Sequence, residues 1–107
     1  MHWLLADRFP VDSAVIQQLL VGIKTLRPRI KVYPGIFTDS ELTGIGARLY
    51  LLFGEREVLY SPCSAAERAR RVIPEACVEI IPAAGHLLVM ERPEFVNQRI
   101  LGFLQRR

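Results

Sequence analysis

Two stretches decide the fold: LYLLFGERE at residues 49–57 and VEIIPAAGH at residues 78–86. Each contains a short apolar run followed by a turn that carries polar side chains. The first run stops at Gly54 and the second at Pro82. Short apolar runs bounded by glycine or proline are typical of buried strands in parallel sheets. We therefore predict two strands, at about residues 48–53 and 77–81.

Helical patterns follow both predicted strands. Ser64 and Glu67 have the spacing of a capping box, which predicts the start of a helix. That helix is predicted to run to about Val72 and to end before Pro74. A last helix is predicted from Pro93, because proline suits a first helical position and apolar residues recur behind it. The order strand, helix, strand, helix predicts an α/β fold with parallel strands and a right-handed crossover.

The N-terminal half of the chain is predicted to be mostly helical, with no obvious strand. Asp12 or Ser13 can cap a first helix, and Pro28 would end it. A second capping box at residues 38–41 predicts a short helical turn. Apolar residues recur at helical spacing along the first helix: Val15, Ile16, Leu19, Leu20, Ile23 and Leu26.

Two parallel strands are too few for a stable sheet of their own. Parallel strands are normally buried on both faces within larger sheets. The sequence is therefore expected to fold as part of a larger α/β architecture, with a helical N-terminal half followed by a β-α-β-α unit. The first strand would then present an edge of the kind that natural proteins pair or cover.

The ends of the two predicted strands carry a candidate catalytic pair. Glu57 follows the first strand and His86 follows the second. Functional groups of open parallel sheets collect beyond the carboxyl ends of the strands, so both side chains are expected at one edge. A histidine oriented by a carboxylate can deprotonate a hydroxyl group and later protonate a leaving group. Gly85 is expected to permit a tight turn before the histidine.

A resemblance to a known family rests on five stretches in one order: LLFGERE (51–57), IP (73–74), IPAAGH (81–86), MERPEFVN (90–97) and ILGFL (100–104). Residues 48–107 resemble the C-terminal segment of the α/β-hydrolase superfamily, which implies a partial α/β-hydrolase fold. Residues 1–47 resemble, less specifically, a helical cap or lid-like segment and its linker. The resemblance implies a triad in the order Ser, acid, His. His86 falls on the histidine, and Glu57 falls on the acid position, where the family more often has aspartate.

The chain has no Gly-x-Ser-x-Gly motif, which carries the nucleophile in this family. Without a nucleophile and oxyanion donors, the chain alone is not expected to perform acyl transfer. The resemblance implies ester- or amide-type hydrolysis of a small-molecule substrate in a complete protein. The alternative is a non-catalytic binding or assembly module that forms a homodimer or a higher oligomer. An ordinary turn histidine and a solvated loop carboxylate are the alternatives for His86 and Glu57.

Composition excludes several other classes of function. The chain has 107 residues, half of them hydrophobic, and a net charge of +3, as expected of a folded domain. No apolar run approaches the ~18 residues of a membrane span, and no secretory signal is recognised, so a cytoplasmic location without a membrane partner is expected. The arginine clusters lack interleaved aromatic residues, which favours solvated helix faces over nucleic-acid binding. Cys63 and Cys77 lack metal-ligand spacing and are expected to be buried or half-buried thiols, and no metal or cofactor is predicted.

Overall fold

The computed structural model describes residues 13–27 and 33–106. Within these residues the two predicted strands pair in parallel, with Tyr50 opposite Cys77 and Gly54 opposite Ile81. The predicted α/β class is therefore confirmed. In chain order the elements are α1 (Ser13–Thr25), α2 (Asp39–Thr43), β1 (Tyr50–Gly54), α3 (Pro62–Val72), β2 (Cys77–Ile81), α4 (Leu88–Glu91) and α5 (Pro93–Gln105).

Helix α1 forms where the apolar spacing predicted it, but much of its apolar surface is exposed. The side chains of Ile23 and Leu26 are among the most accessible, at 73% and 74%. Together with Met90 they line an open apolar groove. The proposed cap at Asp12 and the stop at Pro28 lie outside the described residues. No helix in the described ranges has the length and hydropathy that a bilayer crossing requires.

The predicted capping box of α2 is present. The Thr38 hydroxyl accepts a hydrogen bond from the Glu41 amide at 3.2 Å, and the Glu41 carboxylate accepts one from the Thr38 amide at 2.7 Å. Asp39 forms ion pairs with Arg68 at 2.9 Å and Arg71 at 3.1 Å, which join α2 to α3. Two arginines of the basic cluster are thus engaged with a carboxylate of the same chain.

Helix α3 begins earlier than the sequence suggested. Its N-cap is Ser61, not Ser64, and the Ser61 hydroxyl accepts a hydrogen bond from the Ser64 amide at 3.2 Å. Pro62 follows at the first helical position, where the lack of an N–H costs nothing. The prediction of a cap at Ser64 was wrong because Ser61-Pro62 supplies a complete start one turn upstream.

The core lies where α3 packs on the sheet and where the turn after β2 meets the last helices. Small side chains allow the close packing of α3, and Ile81 is the largest fully buried residue of the described chain. On α5, Phe103 packs against Tyr50 of β1, with ring centroids 5.4 Å apart. The buried apolar residues are Ala66, Ala69, Val72, Ile73, Ile81, Ala84 and Val96.

Both cysteines are exposed, which corrects the expectation of buried or half-buried thiols. Cys63 shares helical spacing with the buried Ala66, but it lies in the first turn of α3. Cys77 is the first residue of β2, at the end of the sheet away from the predicted site. Free cysteines are usually buried, but these two lie at the start of a helix and of a strand, where they remain exposed.

Candidate active site

The turns that follow the two strands lie in direct contact. A side-chain carbon built onto Gly54 would lie 2.4 Å from the carbonyl oxygen of Gly85 and 2.5 Å from that of Ala84. No real carbon could occupy that space, so only glycine fits at the end of β1. The Arg56 amide also donates to the Ala84 carbonyl oxygen at 2.8 Å. These backbone contacts hold the acid-bearing turn against the histidine-bearing turn.

Glu57 is held by its own turn as well as by the histidine. Its Oε1 accepts hydrogen bonds from the amides of Val58 and Leu59, both at 2.8 Å. Its Oε2 lies 2.7 Å from Nδ1 of His86, and the side chain is only 2% exposed. The alternative of a solvated loop carboxylate does not match this burial and pairing.

The hydrogen bonds to Glu57 outweigh the cost of burying it. Burial alone would raise the pKa of the carboxyl group, but the amide of Leu59, the ring of His86 and the amide of Val58 together lower that pKa below its ordinary value. Glu57 is therefore ionised at neutral pH. Burial and the nearby Glu57 charge raise the pKa of Tyr60, which keeps that phenol protonated.

His86 is half-exposed, with 35% of its side chain accessible. An ionised carboxylate at Nδ1 favours the tautomer that carries its proton there, which leaves Nε2 with a free lone pair. The structure therefore brings together the two residues that the sequence singled out. A histidine in this state can accept a proton at Nε2 while the carboxylate stabilises the resulting positive charge.

The histidine turn is shaped by residues that sequence reasoning did not identify. Ala83 is the left-handed residue, with φ of 54°, whereas no described glycine has a positive φ. The left-handed backbone is thus at Ala83 and not at Gly85, and the expectation that a side chain at Gly85 would hinder the turn stays a prediction. The Ala83 amide donates to Glu55 at 2.7 Å, and the Gly85 amide donates to the buried Glu91 at 2.7 Å.

The described residues hold no cluster of three or more histidine, cysteine, aspartate or glutamate side chains suited to a metal ion. The acid–base pair at the site is formed by Glu57 and His86. A hydroxyl or water placed at Nε2 could be deprotonated there. The Gly-x-Ser-x-Gly nucleophile motif is absent from the sequence, so a nucleophilic serine in that setting is not among this chain's own residues.

The parallel strand pair and the solved structures that the chain matches define a partial α/β-hydrolase fold, and the chain corresponds to a C-terminal portion of that fold. It belongs to that superfamily. Its relatives there are carboxylesterases: carboxylesterase YbfK of Bacillus subtilis is 38% identical over 110 residues, covering 97% of this chain and 37% of that protein. No protein-family model matches the chain.

Solved structures of two carboxylesterases from Bacillus subtilis are similar to the chain along almost its whole length. Naproxen esterase (carboxylesterase NP) superposes with a TM-score of 0.87 at 34% identity, covering 97% of this chain and 39% of that one. Carboxylesterase CesB (YbfK) gives a TM-score of 0.84 at 38% identity, covering 96% and 38%. The chain thus spans little more than a third of the length of the relatives it matches.

Proposed function

We propose that this chain provides the acid and the histidine of a Ser–acid–His triad for carboxylester hydrolysis. Glu57 is the acid and His86 the general base. The observation that carries this assignment is the 2.7 Å contact between His86 Nδ1 and a Glu57 carboxylate that is only 2% exposed. The names of the relatives, which are carboxylesterases, support the reaction class.

In this mechanism Nε2 of His86 takes the proton of a serine hydroxyl as the serine oxygen attacks the ester carbonyl carbon. The negative charge of Glu57 stabilises the imidazolium that forms. The imidazolium then returns the proton to the departing alkoxide, which leaves as an alcohol and yields an acyl-serine. Water, deprotonated by the same Nε2, hydrolyses the acyl-serine and regenerates the serine.

The serine and the oxyanion donors have to come from outside this chain's residues. The sequence has no nucleophile elbow, and both groups are needed for acyl transfer. We therefore expect the chain alone to lack serine-type esterase turnover. A p-nitrophenyl ester assay of the isolated chain tests this directly. Robust turnover that disappears in His86→Ala would contradict it.

A graft tests the roles of the two residues. The chain replaces the matching segment of carboxylesterase YbfK, which the 38% identity and TM-score of 0.84 make feasible. In an active graft, His86→Ala is expected to lower kcat by a factor of ~10³ or more, because the general base is lost. Glu67→Gln, on the exposed face of α3, is the matched control and is expected to leave kcat unchanged. An active graft that tolerates His86→Ala would overturn the assignment.

The second candidate is a non-catalytic module that associates with itself. Within the described residues the sheet has two strands, so each strand has one edge without a strand partner. Helix α5 also exposes apolar side chains, with Leu101 at 57% and Leu104 at 67%. Exposed edges and apolar patches favour association.

Light scattering coupled to size-exclusion chromatography tests the second candidate. Self-association through these surfaces predicts a homodimer or a higher oligomer. Leu101→Glu, which places a charge on the exposed face of α5, should shift the population toward monomer. A compact, stable monomer of the unmodified chain would count against this candidate.

A further inference from the structure

Glu91 is a buried acidic residue that the triad chemistry does not use. It lies at the end of the short helix α4 and is 5% exposed. Its Oε2 accepts a hydrogen bond from the amide of Gly85 at 2.7 Å. Gly85 immediately precedes His86 in the chain. We infer that Glu91 is a positioning residue for His86, acting through the peptide that carries the histidine.

The backbone conformation of the turn explains why this hydrogen bond is needed. Ala83 has a left-handed backbone, with φ of 54°, which is unfavourable for a non-glycine residue. The turn would relax if nothing opposed that strain. The Arg56 amide donates to the carbonyl oxygen of Ala84, while Glu91 accepts from the amide of Gly85. Both polar groups of the Ala84–Gly85 peptide, which immediately precedes His86, are therefore fixed by hydrogen bonds.

The hydrogen bond from Gly85 to Glu91 contributes to stability because both groups are buried. A buried amide that loses its acceptor has no water to replace it, so removing the partner is costly. The neighbouring Ala83 amide is also held by a carboxylate, but Glu55 is exposed and water can substitute for it. Of the two glutamates that accept hydrogen bonds from backbone amides of the turn, Glu91 should therefore control the position of His86.

The catalytic meaning of this inference rests on the proposed function, but its test does not. The position of the His86 ring can be read without any substrate. Ring ¹⁵N shifts report which nitrogen carries the proton, and the Nδ1–H signal persists only while Glu57 protects it. Unchanged ring ¹⁵N shifts and an unchanged Nδ1–H signal in Glu91→Ala would contradict the role of Glu91 alone. An active YbfK graft that tolerates His86→Ala would contradict the triad alone.

The experiment uses the isotopically labelled full chain with three variants. In Glu91→Ala the Gly85 amide should exchange with solvent about tenfold faster or more, as loss of one buried hydrogen bond implies. The Nδ1–H signal of His86 should disappear in the same variant. Glu91→Gln keeps a carbonyl acceptor and should preserve that signal. Glu94→Ala, which removes a charge from an exposed position three residues later, is the matched control and should match the wild type.

Two results would overturn the inference. One is a folded Glu91→Ala protein that keeps the native Gly85 exchange rate and the native His86 signals. The other is a folded Glu91→Gln protein that loses the Nδ1–H signal despite the retained acceptor. If Glu91→Ala does not fold, the scalar coupling across the hydrogen bond from Gly85 N to Glu91 Cδ in the unmodified chain decides the matter. Its presence supports the contact, and its absence refutes it.

Discussion

Two glutamates at the sheet are each paired with a nitrogen base, but the pairs differ in kind. Beyond the carboxyl end of β1, the side chain of Glu57 is 2% exposed and contacts a histidine. In the middle of β2, opposite Leu52, the side chain of Glu79 is 30% exposed and contacts Arg99 through both carboxylate oxygens. Tyr50 adds a hydrogen bond to Glu79.

The partner decides what each pair can do. Arg99 keeps its charge at all physiological pH values, so its pair with Glu79 can only join α5 to the sheet. The hydrogen bonds from Arg99 hold the pKa of Glu79 below its ordinary value, which reinforces a permanent ion pair. An imidazole can accept a proton at one ring nitrogen and return it during a reaction, which a guanidinium cannot do, so the pair of His86 with Glu57 can take part in a reaction. A carboxylate beside a base therefore marks a site only when the base can change its charge.

Loss of each carboxylate in the YbfK graft gives the sharpest test of this comparison. Glu57→Gln should lower kcat by roughly 10³–10⁴-fold, because the amide no longer stabilises the imidazolium or enforces the Nδ1–H tautomer. Glu79→Gln should change kcat by no more than about threefold, since its pair lies away from the reacting groups. Steady-state kinetics on p-nitrophenyl esters measures both. Equal losses in the two variants would remove the distinction between the pairs.

Glycine-to-alanine changes compare the packing at the end of β1 with the packing on α5, the helix that carries Arg99. Gly54→Ala should destabilise the fold by about 2–4 kcal/mol, because the new methyl group overlaps the backbone at Ala84 and Gly85. Gly102→Ala on α5 meets nothing within 4 Å and should stabilise by about 0.5–1 kcal/mol through helix propensity. Urea denaturation measures both. A harmless Gly54→Ala would mean that the two turns do not approach as closely as described.

Acid titration separates the interactions that lower the pKa values of the two carboxyl groups, Glu57 and Glu79. The pKa values of both Glu57 and Glu79 are lowered on folding, so each stabilises the fold above the ordinary glutamate value. That stabilisation is lost as the pH falls through the lowered folded values. Arg99→Met should raise the pKa of Glu79 strongly, because Arg99 is its main stabilising partner. His86→Ala should raise the pKa of Glu57 less, because the Val58 and Leu59 amides remain.

Carboxyl ¹³C shifts followed by NMR give both titration curves. The two variants serve as each other's control, since each should leave the distant glutamate unchanged. A larger pKa rise at Glu57 than at Glu79 would show that the histidine, and not the turn amides, holds the acid in place.

The smallest expected effect concerns strain at the carboxyl end. Ala83→Gly should stabilise the fold by roughly 0.5 kcal/mol, as relief of the left-handed strain exceeds the added chain entropy of glycine. Ala65→Gly in α3, where the backbone is helical, should instead cost about 1 kcal/mol. Thermal unfolding measures both. A loss of stability in Ala83→Gly would place the strain elsewhere in the turn.

The residues at the carboxyl end of the sheet were predictable from the sequence, because functional side chains of open parallel sheets collect beyond the ends of the strands. Apolar runs located β1 and β2, and parallel pairing then placed Glu57 and His86 at one edge. The catalytic assignment of this pair remains a prediction, as do the boundary at residue 47, the self-association and the cytoplasmic location. The membership of the α/β-hydrolase superfamily, in contrast, follows from the relatives and the fold.

What the sequence did not reveal depends on contacts that no local pattern encodes. Alanine ordinarily avoids a left-handed backbone, so Ala83 adopts one only because the surrounding turn imposes it. Helix α4 spans four residues, too few for any periodicity to appear, so no local pattern connects its Glu91 to the histidine turn. Cys63 is exposed in the first turn of α3, although its spacing from the buried Ala66 would place it on the same face.

The acid-bearing turn has a consequence for transplantation. Glu57 accepts from the amides of its own two following residues, so one carboxylate oxygen is already fixed before any histidine arrives. Residues 54–60 thus contain part of the geometry of the site within one turn. Spliced after another parallel strand, they would keep these two hydrogen bonds to Glu57. A designer would still need a partner turn that accepts from the Arg56 amide and carries the histidine.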